Sequence, residues 1–112
     1  MRSKNALYIL GGPKGHDQVA CPDIKLWEAW VESADRIVKQ TTSDTGILVS
    51  TVFLAVSLMP FLDRLPKLFE TMIFGGKHDN YQTRYLTWDE AEAGHEAAIK
   101  LVFEGEPGEQ DV

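Results

Sequence analysis

The chain has one cysteine, Cys21, in 112 residues. A single thiol forms no internal disulfide and supplies none of the paired-cysteine spacings of a zinc site, so a reducing cytoplasm is the expected setting. No apolar run is long enough to cross a bilayer, which takes about 20 residues. The N-terminal stretch MRSKNALYILGG is cut by Gly11-Gly12-Pro13 before it becomes a signal sequence. Basic residues are not in excess: 11 Lys and Arg face 17 Asp and Glu, a net charge of −6. That balance argues against a protein that wraps nucleic acid, which needs a cationic face. Motifs of known chemistry are missing too. There is no G-x-S-x-G elbow, no HExxH pair and no Walker loop, because Gly11-Gly12-Pro13-Lys14-Gly15 lacks the Walker spacing.

What is present describes one globular domain. Hydrophobic residues make up 44% and charged residues 25%, and three Trp, three Tyr and five Phe supply bulk for a core. The acidity is uneven. Glu104, Glu106, Glu109 and Asp111 leave the rest of the chain with 13 acids against 11 bases, so the body is nearly neutral. Residues 1–103 are expected to form the domain and 104–112, EGEPGEQDV, a disordered tail.

Asn5 to Leu10 reads as a short strand ended by the glycine-rich turn. Pro22 and Asp23 open an amphipathic helix to about Asp35, with Ile24, Trp27, Val31 and Ala34 on one stripe and Trp30 beside it. Arg36 to Thr41 and Ile47 to Leu58 read as a hairpin. The second arm is so continuously apolar that a central strand covered on both faces is expected, long enough to bend. Leu68 to Phe74, stopped by Gly75-Gly76, and Tyr81 to Leu86 read as two more strands. Thr87-Trp88-Asp89-Glu90 has the spacing of a capping box, so a second helix starts at about Trp88 and runs to Phe103. Its interior Gly94 suits a close approach to a neighbour. The whole is an α+β fold, a mainly antiparallel sheet of about four strands packed by two helices.

Several residues could carry chemistry. His16-Asp17 and His78-Asp79 are loop pairs that would bind a metal if they met; nothing in the spacing makes them meet, and no cofactor is expected. His95 falls on the core stripe of the second helix, where a hydrogen-bonded packing role is expected. Glu70 and Arg84 can pair across a hairpin. Alternatively Arg84 takes an anionic ligand, with Lys14, Lys77, His78 and Tyr85 as the other members of a binding site. Between two prolines, Phe61 and Leu62 form a candidate interface loop, from which a homo-oligomer is expected.

The pieces CPDIKLWEAWVESADRIVKQT, VSTVFL, LFETMIFGG and RYLTWDEAEAGHEAAIKLV resemble a group of small uncharacterised bacteriophage and prophage proteins. Members of that group follow STVFL with Gly-Leu-Asp-His, where this chain has Ala55-Val56-Ser57-Leu58. The resemblance implies a phage origin and action in the cytoplasm of a bacterial host, without a mechanism. Three functions remain open. The first is a non-enzymatic accessory protein that sequesters a small nucleotide-type ligand to blunt host defence. The second is a protein-binding inhibitor, acting on a defence or CRISPR component through acidic surface such as Glu90, Glu92 and Glu96, even as a nucleic-acid mimic. The third is a small hydrolase or metal-dependent enzyme.

Overall fold

The computed structural model describes residues 5–58 and 65–104. The expected Phe61-Leu62 loop and nearly all of the acidic tail lie outside these residues. The elements in chain order are β1 (Tyr8–Gly11), β2 (Asp17–Ala20), α1 (Ile24–Ser33), β3 (Ile37–Thr42), β4 (Leu48–Phe53), β5 (Phe69–Phe74), β6 (Gln82–Tyr85) and α2 (Trp88–Glu104). Strands β3 to β6 form one antiparallel sheet in chain order, and β1 pairs only with β2 in a second, two-stranded sheet. The α+β class read from the sequence is the one observed. Strand β2 has no counterpart in that reading, because Asp-Gln-Val-Ala is short, polar and mostly exposed, with no apolar alternation to reveal it.

Helix α2 lies across all four strands of the larger sheet. Its face meets the inward residues of the strands in two clusters. Phe53, Ala55, Leu68, Phe69 and Ala91 form one, and Val49, Ile73, Ala98 and Val102 the other. Strand β4 corrects the expectation of a strand buried on both sides. Val49, Thr51 and Phe53 are buried, whereas Leu48, Ser50 and Val52 on the opposite face are only half-buried. Its ladder also ends six residues in, and the chain bends at Ala55, which takes a φ of 69°. A non-glycine residue in this left-handed region costs about 1–2 kcal/mol. Here the surroundings hold it, since the Ala55 carbonyl accepts from the Tyr8 amide at 2.9 Å and from Trp27 Nε1 at 3.1 Å.

Both helices start as the sequence indicates. Asp23 Oδ1 accepts from the amides of Lys25 and Leu26 at 3.0 and 3.2 Å. Thr87 Oγ1 accepts from the Glu90 amide at 3.1 Å, and Glu90 reaches back to accept from the Leu86 amide at 3.0 Å, one residue earlier than a standard capping box would place it. Ile24 departs from the expected stripe and stands 57% exposed, while Trp27, Trp30 and Val31 pack on the first core cluster.

Gly94 is where α2 meets the end of β6. A Cβ there would lie 2.1 Å from both Cζ and Oη of Tyr85, so only glycine leaves room for the phenol. Gly94→Ala is expected to destabilise the protein by about 2 kcal/mol, overpacking outweighing the roughly 1 kcal/mol of helix propensity that alanine gains. A urea midpoint that rose in this variant would show that Tyr85 swings aside at no cost.

Candidate functional site

The loop between β1 and β2 is a turn built on Gly12-Pro13-Lys14-Gly15. The Gly15 amide donates to the Gly12 carbonyl at 3.1 Å, and Pro13 holds the second position, where its fixed φ suits a β-turn. Gly12, at φ 82°, is pressed against Asp17, whose Oδ2 lies 2.2 Å from where a Cβ would stand. The turn therefore carries Lys14 at its exposed tip and delivers His16 directly after it.

His16 faces the first residue of α2. Its imidazole lies on the Trp88 indole, with ring centroids 3.6 Å apart and planes 2° from parallel. Phe69, fully buried, meets the same indole edge-on at 6.2 Å and 81°. Beside this stack lies a cavity of about 710 Å³ whose lining includes Phe69, Trp88, Lys14, His16 and Gln18. Its charged residues are Lys14, Asp17 and Asp89, all exposed. Two polar atoms of the wall, Trp88 Nε1 and Gln18 Oε1, are shielded from water, and neither has a hydrogen-bond partner among the described residues.

Of the five residues expected to form a ligand site, only Lys14 lines this cavity. Lys77 and His78 lie in the connection between β5 and β6, at the other end of β5 from Phe69. Five strand steps of roughly 3.4 Å separate those ends by about 17 Å. Arg84 lies opposite Glu70 in the predicted register, and its Nε donates to Glu70 Oε2 at 2.9 Å, with Gln82 Nε2 donating to the same oxygen. Tyr85 sits against Gly94, where burial raises the pKa of its phenol. The two His-Asp pairs stay apart as well. Asp79 closes its own turn by accepting from the Gly75 amide at 2.6 Å, while His16-Asp17 borders the cavity. Among the described residues no three His, Cys, Asp or Glu side chains are grouped to hold a metal ion.

His95 is fully buried between α2 and the sheet. Its Nδ1 is hydrogen bonded to Thr51 Oγ1 at 2.7 Å and its Nε2 to Thr41 Oγ1 at 2.9 Å, and Thr51 in turn bonds Thr71. Burial holds its pKa below the ordinary histidine value, and nearby Lys39 acts in the same direction against a smaller upward pull from Glu96. Lys39 is also the ion-pair partner of Glu96, at 2.7 Å. His95 is thus a packing residue held neutral, as its place on the helix stripe suggests.

Comparison with protein-family models, curated proteins and solved structures finds no match. Reading the sequence missed Trp88, His16 and Gln18 as partners at the cavity. The signal for Trp88 was its place as first residue of a capped helix, where an apolar stripe begins to leave the core.

Proposed function

We propose that the protein binds a small nucleotide-type ligand non-catalytically in the cavity between the β1–β2 turn and the start of α2. The observation that carries this reading is the Trp88 ring, stacked face to face at the wall of a cavity whose rim offers the Lys14 ammonium. An aromatic face takes a base, and a lysine meets phosphate as a point charge. The volume falls in the range of small-molecule pockets. A phage accessory role in which such a ligand is sequestered in the host cytoplasm belongs to the same proposal, as does assembly into a homo-oligomer. No helix among the described residues is long and apolar enough to cross a membrane. The acidic-surface reading has less support, since Glu96 pairs with Lys39 and Glu90 caps its own helix.

The test is a thermal-shift and calorimetry panel of mono-, di- and cyclic nucleotides. A ligand that binds only the folded chain must raise its Tm. Lys14→Ala is expected to weaken the binding nucleotide about tenfold, the loss of one charge-assisted contact, with the unliganded Tm unchanged because Lys14 is exposed. Undiminished binding in that variant would remove Lys14 from the site.

A further inference from the structure

Trp88 offers no free face beside the cavity as long as His16 lies on it, because the two rings are parallel at 3.6 Å. A base that stacks there has to take the place of the imidazole. The space beside the residue before His16 is open: Gly15 has nothing within 4 Å of a Cβ position. Phe69, by contrast, fixes the indole edge-on from within the core. The ring that moves is therefore His16, and the ring that stays is Trp88.

We infer that His16 is an intramolecular occupant of the base position, displaced on binding by a purine. This inference rests on the proposed ligand-binding reading of the same cavity and adds the class of base and the competition within the chain. The Trp88 N–H lies in the plane of the indole, so it is the face of the ring, and not that N–H, that meets a base stacked in the place of the imidazole. A purine matches the two-ring indole in area, which a single-ring pyrimidine does not. Lys14, on the same turn as His16, remains to meet the phosphate.

If the stacked form holds nine molecules in ten, the apparent affinity for a base is about tenfold below its intrinsic value. His16→Ala and His16→Asn should each therefore bind AMP about tenfold more tightly than the unsubstituted protein, in calorimetry at fixed pH. Ribose 5-phosphate, which has no ring to stack, should bind all three proteins alike, and CMP should bind each more weakly than AMP. Two folded variants, checked by their Tm, separate a displaced plug from a damaged loop. If both lose affinity for AMP, His16 is a partner of the ligand and the inference falls, although the cavity stays a binding site. If CMP equals AMP, the purine assignment falls. If AMP and ribose 5-phosphate bind none of the three, the inference falls together with the ligand-binding reading.

Discussion

Replacing His95 by alanine is expected to lower stability by about 4 kcal/mol, measured by urea denaturation near pH 7.5. The side chain is completely buried, and its removal leaves a cavity and strips Thr41 of its bond to Nε2 and Thr51 of its bond to Nδ1. Truncating a large buried side chain costs about 2–5 kcal/mol, and a hydroxyl left unpaired adds about 1–3 kcal/mol, partly offset here because Thr51 keeps Thr71. The same residue gives a pH dependence with a definite sign. Burial holds its folded-state pKa below the ordinary histidine value of about 6.5, so above that pH both states are neutral and the contribution is whole. As pH falls below about 6.5, the unfolded chain takes up a proton that the folded chain refuses, and stability declines towards the lower folded pKa. The decline between about pH 6.5 and 5 precedes most carboxylate titration. It should be missing from the His95→Ala variant. An equal slope in both proteins would mean that His95 is protonated within the fold.

Trp27→Ala is expected to cost about 3 kcal/mol, the low end for a truncated indole because the residue is half-buried. Its ring joins the first core cluster, and its Nε1 donates both to the Tyr8 carbonyl at 3.2 Å and to the Ala55 carbonyl at 3.1 Å. One side chain thus ties α1 to β1 and to the strained bend after β4. Lys14→Ala, at an exposed turn, should change stability by less than about 0.5 kcal/mol. A Trp27 variant with an unshifted midpoint would mean that α1 is dispensable to the fold, and that its two indoles serve a surface role instead.

The parts of the fold legible in the sequence are those fixed by local chemistry. The capping residues Asp23 and Thr87 mark both helix starts, and the antiparallel pairing of Glu70 with Arg84 follows from the turn that joins their strands. Gly94 marks a close approach, which proves to be to Tyr85. Long-range placement was less legible. Leu54 to Leu58 reads as more strand, yet the left-handed turn at Ala55 sends the chain to bridge Leu7 with Val56. No local pattern shows that an alanine will be held there by a distant indole. The cavity has the same character. Lys14 stood out as a cation in a glycine-rich turn, but its neighbours Phe69 and Trp88 are far along the chain and look like ordinary core. Lys77, His78, Arg84 and Tyr85 are close in sequence to one another, but strand alternation and the length of the β5–β6 hairpin send them to different faces and ends.

The central claim is that a nucleotide-type ligand stacks at Trp88. The chain has three tryptophans, so three indole N–H signals report on it separately in a ¹H–¹⁵N spectrum. Titration with AMP is expected to shift the Trp88 signal, whose ring exchanges the His16 imidazole for a base, and to leave those of Trp27 and Trp30 in place. A spectrum in which Trp88 stays still while the ligand binds, or in which Trp27 or Trp30 moves in its stead, would contradict the account.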